Sequence, residues 1–137
     1  ENVWPEKSLL NQAVCDSYFL SSVAISRDIV RGLALAMHQP VPLWEELCHE
    51  GDTISLMRLF HYLPHGHILD SIGSSPHTDW GFLTLIAASG TEGLEIYHDH
   101  TWKPVPIQNR TLFVNGGDYL TIMSKGKFCF GNHGLFL

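Results

Sequence analysis

Little in this sequence points toward secretion, membranes or nucleic acid. The 137 residues include three cysteines, Cys15, Cys48 and Cys129, which are odd in number, widely spaced and without any Cys-x-x-Cys pair. That pattern argues against a disulfide framework and for thiols kept reduced. No stretch approaches the roughly 18 to 20 apolar residues of a membrane span, and no signal peptide opens the chain, so a cytoplasmic location is expected. Basic residues are scarce. Eight Lys and Arg against 14 Asp and Glu give a formal net charge of -6, whereas nucleic acids and anionic membranes call for an excess of cations. Internal repeats and low-complexity linkers are missing as well. What remains is a globular chain, 45% hydrophobic, long enough for one domain or part of one, whose expected partner is a small molecule.

Proline is absent from Ser8 to His38, and glycine occurs there once. Tyr18, Ile25, Ile29, Leu33 and Ala36 recur at intervals that keep one face apolar, so a long amphipathic helix is expected, ended by Pro40 and Pro42. A short helical turn through Trp44, Glu45 and Glu46 follows. From Ile54 the apolar runs become short: ISLMRLFHY, FLTLIAA, GLEIY, WKPVP, TLFVN, DYLTIM and KFCF, punctuated by glycine-containing turns. This is the rhythm of an antiparallel sandwich or barrel. The expected architecture is α+β, mainly β, with a helical prefix over residues 1–50 packed on a β-domain over 51–137.

The stretch SSPHTDWGFLTLI, Ser74 to Ile86, places His77 and Asp79 two residues apart before an apolar run. Side chains alternate along an extended chain, so the two project to the same side and suit one metal ion; a capped polar turn is the plainer reading. Nine histidines offer several third ligands. His98 and His100 could join His77 in a zinc-like cluster of three histidines, but they lie where a hairpin turn is expected. His61, His65 and His67 flank Pro64 and Gly66 in an expected loop. His133, on the last strand-like segment, would complete two His and one carboxylate, the facial triad of non-haem iron(II) oxygenases. Cys129, near His133, is expected to be buried and structural, and Asn109-Arg110-Thr111 a turn before a strand.

The succession MRLFHYLP, PHTDWGFLTLI, GLEIY, W-x-x-V, LFVNGGDYL and SKGKF resembles the iron(II)- and 2-oxoglutarate-dependent dioxygenases of the isopenicillin N synthase-like type. The resemblance covers Ile54 to Phe128 closely. It implies a double-stranded β-helix, or jelly roll, preceded by a helix and here incomplete at its C-terminus. It further implies Fe(II) held by His77, Asp79 and His133, 2-oxoglutarate as co-substrate touched by Tyr62, dioxygen as the second co-substrate, and oxidation of a small organic substrate. Departures from the pattern are Phe60 in place of Asn, Cys129-Phe130 in place of Lys-Ser, and Gly134 after the histidine in place of Arg. No Arg-x-Ser follows His133 to hold the far carboxylate of 2-oxoglutarate, so a fragment is expected.

Other residues have plainer expected roles. Asp118 is read as a turn and strand-start residue, Trp102 as a core or rim aromatic, Phe82, Leu83, Leu85 and Ile86 as barrel core, and Arg58 and Arg110 as surface cations. The rival functions are a catalytically silent relative acting as a metal-binding or interaction module, and a zinc hydrolase built on the histidines.

Overall fold

The computed structural model describes residues 3–6, 10–49, 54–62, 72–87, 93–106 and 108–136. The chain divides into two compact units, Glu1–Leu59 and Phe60–Leu137. In the first, helix α1 spans Gln12–Ala36 and α2 spans Val41–His49. Asn11 begins α1 by accepting a hydrogen bond from the Val14 N–H, which satisfies one of the donors that a helix start leaves open. Pro42 falls in the first turn of α2, where its missing N–H costs nothing. Arg31 bridges Asp28 of α1 and Glu45 of α2. Buried residues here are Cys15, Val30, Ala34, Met37 and Trp44. The buried stripe is therefore rotated from the expected one: Tyr18, Ile25 and Ala36 are exposed. Counting only large apolar residues misplaces it, because the face that is covered is built partly of small ones, Cys15 and Ala34.

The second unit holds two antiparallel sheets. Strands β1 (Ile72–His77), β3 (Leu94–His98), β4 (Thr101–Pro104) and β6 (His133–Phe136) form one sheet in the order β1-β6-β3-β4; β2 (Leu83–Ile86) and β5 (Phe113–Gly116) form the other. Strand β1 is an edge, with irregular register on either side of Ser74, and this is how it tolerates Pro76, which cannot donate to a ladder. Its last residue, His77, stands directly opposite His133 of β6. Asp99 and His100 join β3 to β4 with positive φ at both positions, 50° and 62°, the two-residue turn whose twist matches a hairpin. Asn109 and Arg110 also form a turn, as expected.

Three expected strands are not strands. DYLTIM is helix α3, Asp118–Met123. A short apolar run does not reveal its own period, and here the turn that buries Leu120 and Ser124 together decides it. Asp118 thus opens a helix rather than a strand. The helix ends where Ser124 Oγ accepts from the Phe128 N–H and Gly126 adopts φ 74°. KFCF follows without a ladder, and Cys129 is exposed rather than buried, its thiol donating to the Gly126 carbonyl. Residues 54–62 carry no strand hydrogen bonds, and Ile54, Leu56, Leu59 and Phe60 are exposed; an extended run becomes a strand only beside a partner. Phe82, Leu83, Leu85 and Ile86 are half-buried rather than core.

Candidate metal centre

The loop that leaves the four-stranded sheet at the end of β1 and enters the two-stranded sheet at β2 carries Asp79. Its backbone is gripped by the segment after β5. The Asp118 N–H donates to the Asp79 carbonyl at 2.7 Å, the Gly117 N–H to the Phe82 carbonyl at 3.1 Å, and Thr78 Oγ1 to Asp118 Oδ2 at 3.2 Å. Only glycine fits at 117: a β-carbon there would lie 2.1 Å from the Gly81 carbonyl oxygen and 2.7 Å from that of Asp79.

So held, Asp79 aims one carboxylate oxygen at two imidazoles. Oδ1 lies 3.8 Å from His77 Nε2 and 3.7 Å from His133 Nε2, and the two rings stand 4.3 Å apart, tilted by 50°. All three donor atoms fall within 4.8 Å of one another, and among the described residues this is the one such grouping. His133 is buried at its base and His77 half-exposed at its rim. The His77 Nδ1 lies 2.7 Å from the Ser75 carbonyl, which can only accept, so in the neutral ring this contact selects the tautomer with its proton on Nδ1 and the Nε2 lone pair free for a ligand. Burial pushes the His133 imidazole below its ordinary 6.5, with Asp79 opposing and His77 adding to the shift, so burial favours its neutral form.

The set fits a divalent ion. Ligand bonds of about 2.1 Å at right angles place donors about 3 Å apart, so the observed gaps close by small side-chain rotations. Two imidazoles and one carboxylate would hold such an ion from one side and leave positions open for co-substrates.

The other candidates lie elsewhere. His98 and His100 are exposed at the β3–β4 turn, His98 beside Asp99, and do not join the cluster. The three-histidine zinc arrangement is therefore not formed: a tight turn sends both side chains into solvent. His61 is exposed; His65 and His67 lie outside the described residues. Tyr62 lies against Gly73 of β1, its ring stacked 6.1 Å from Phe60. Trp102 is a half-buried rim aromatic between Tyr97 and Phe136, and Arg58 and Arg110 are exposed.

Asn115 escapes a reading of the sequence. It is buried on β5, and its Nδ2 donates to Asp79 Oδ2 at 2.8 Å while lying 3.4 Å from His133 Nδ1. The signal available, Asn-Gly-Gly-Asp, reads as a turn and conceals a partner 36 residues away.

The family model described as the 2OG-Fe(II) oxygenase superfamily matches residues 53–135. A 2-oxoglutarate-dependent dioxygenase of Aspergillus rugulosus, ecdK, is 37% identical over 97% of the chain, and isopenicillin N synthase of Streptomyces griseus 23% over 96%. The chain spans 42% and 43% of these two relatives. Among solved structures, JOX2 in complex with 2OG, Fe and JA matches 98% of the chain with a TM-score of 0.77 at 22% identity, covering 40% of JOX2. A full-length Neurospora crassa protein in complex with alpha-KG and 5-formyluracil matches 96% of the chain with a TM-score of 0.73 at 16% identity, 45% of that protein being covered. The likeness to both establishes the fold, a jelly roll of which this chain is a part.

Proposed function

Because the chain belongs to the 2OG-Fe(II) oxygenase superfamily, we propose that His77 Nε2, Asp79 Oδ1 and His133 Nε2 hold iron(II), and that the protein oxidises a small organic substrate at the expense of 2-oxoglutarate and dioxygen. The observation that carries this reading is the convergence of the three donors, with Oδ1 facing both Nε2 atoms. Iron(II) with its co-substrates supplies the oxidising power for attack on an unactivated carbon, which no amino-acid side chain can deliver.

The chain's own contribution is placement. His133 closes the floor of the site, so ligands enter from the side of His77. The Ser75 carbonyl holds the His77 ring in the tautomer that ligates. Tyr62 offers a phenolic hydroxyl to 2-oxoglutarate. The second carboxylate of 2-oxoglutarate requires a cation, which the family's Arg-x-Ser would provide, and an arginine–carboxylate pair of this kind is worth roughly 2 to 5 kcal/mol. The 137-residue chain is accordingly expected to bind iron but to form succinate far more slowly than a form extended to include that pair.

The helical prefix, residues 1–50, and the β-domain, 51–137, are read as serving this one activity. The net charge of -6 supports a partner list without nucleic acid. No helix among the described residues is long and apolar enough to cross a membrane; the unpaired cysteines favour the cytoplasm.

The test is an anaerobic iron(II) titration, followed by 2-oxoglutarate and the charge-transfer absorption that the two give together. Asp79→Ala should abolish binding, because two neutral imidazoles compensate a ferrous charge poorly, and His98→Ala should leave it intact. Equal losses from both substitutions, or tight zinc binding with hydrolysis and no response to 2-oxoglutarate, would overturn the reading.

A further inference from the structure

A buried amide in the middle of a sheet requires an explanation. Position 115 is paired with Thr84 across the β2–β5 ladder and is almost inaccessible to solvent. A β-branched apolar residue would serve the sheet better there, and burying an amide without partners is costly. The side-chain hydrogen bond of Asn115 goes to the candidate metal centre, to Asp79 Oδ2 at 2.8 Å, and His133 Nδ1 lies 3.4 Å from the same nitrogen. The short contact also fixes which way the amide faces, since an ionised carboxylate accepts from Nδ2 and repels Oδ1. The longer one lies at the outer limit of a hydrogen bond, so it does not prevent the imidazole from carrying its proton on Nδ1.

We propose that Asn115 is a positioning residue that commits Asp79 to one-oxygen coordination: by occupying Oδ2 it leaves Oδ1 alone to face the ion. The inference rests on the metal-centre reading above and adds to it. A carboxylate free to turn can offer both oxygens to a metal, and the second would fill one of the three positions that co-substrate and dioxygen need. Asn115 comes from the two-stranded sheet, whereas His77 and His133 belong to the four-stranded one, so its bond also sets the site across the gap between sheets. The Asp118 N–H holds the carbonyl of Asp79 while Asn115 holds its carboxylate, and the residue is thereby fixed at both ends.

The test compares the wild-type chain, Asp79→Ala, Asn115→Leu and Asn115→Asp by cobalt(II) titration, with the ligand-field absorption of the bound ion and the metal-free melting temperature as independent readouts. Leucine keeps the branching and the number of heavy atoms and removes the donor; aspartate keeps the shape and places a second acceptor against Asp79. Asn115→Leu should melt no lower than wild type without metal, yet bind cobalt about 10- to 100-fold more weakly, with an altered ligand-field spectrum. Wild-type affinity and spectrum in Asn115→Leu, alongside loss of binding in Asp79→Ala, would overturn the role of Asn115 and leave the metal centre standing. Equal cobalt binding by wild type and Asp79→Ala would remove both. Should Asn115→Leu fail to fold, the wild-type chain still decides: the Asn115 side-chain amide protons, identified by their absence in Asn115→Asp, should exchange slowly and shift in Asp79→Ala. Exchange as fast as that of the exposed Asn109 amide would overturn the proposal.

Discussion

Gly117 and Cys48 are single residues whose surroundings dictate measurable behaviour. A methyl group at 117 would meet two backbone carbonyl oxygens, which cannot swing aside as a side-chain tip does. Gly117→Ala is therefore expected to cost about 1 to 3 kcal/mol and to displace Asp79, read as a lower melting temperature together with weaker cobalt binding. Among the thiols, Cys129 is exposed, Cys48 half-buried and Cys15 buried. Burial raises the Cys48 thiol above its ordinary 9.0, with Arg27 opposing. Alkylation requires the thiolate, so iodoacetamide followed by mass spectrometry should label Cys129 first. The Cys48 rate should still be climbing above pH 9, and Cys15 should react only on unfolding. The spacing of His77 and Asp79 is legible because period-two geometry is local. The choice of His133 among nine histidines is legible because the family resemblance supplies it. Asn115 and the exposure of Cys129 are not legible, since each depends on what the fold brings alongside.

At the scale of elements, local and tertiary signals part company. Gly32 lies exposed within α1, and a β-carbon there would touch nothing within 4 Å. Gly32→Ala should accordingly stabilise the chain by about 0.5 to 1 kcal/mol in a denaturant titration. In the β3–β4 hairpin, His100 holds a left-handed φ of 62° that favours glycine. His100→Gly should be neutral or stabilising, by up to about 1 kcal/mol, with metal affinity unchanged. A loss of affinity would make His100 a ligand again. The helix stop near Pro40 and the turns at 99–100 and 109–110 are readable from local residue preferences, whereas the start at Asn11 lies three residues inside the stretch from Ser8 that the sequence suggests. DYLTIM and KFCF mislead because a four- to six-residue apolar run carries no period of its own; burial of Leu120 and the hydroxyl of Ser124 decide them.

For the whole molecule, a metal held at the proposed centre would make occupancy and folding one equilibrium. An ion that binds only the folded chain, at about 100 times its dissociation constant, should stabilise it by about 2.7 kcal/mol, and chelation should reverse the gain. Thermal melts with and without cobalt(II), repeated after chelator, would measure this; an unchanged melting temperature at saturating metal would contradict a site formed by folding. The cross-strand placement of His77 and His133 gives this linkage a particular form. Strand β1 is an irregularly paired edge, and a slip of one residue against β6, which β3 holds from its other side, would turn the His77 side chain to the opposite face. Such a misaligned chain could not gather the three donors. An ion bound at the proposed centre would thus act as a proofreader of strand alignment, rewarding the native register and withholding its binding energy from every neighbouring one, so amide exchange along β1 and β6 should slow on metal addition more than anywhere else in the sheet.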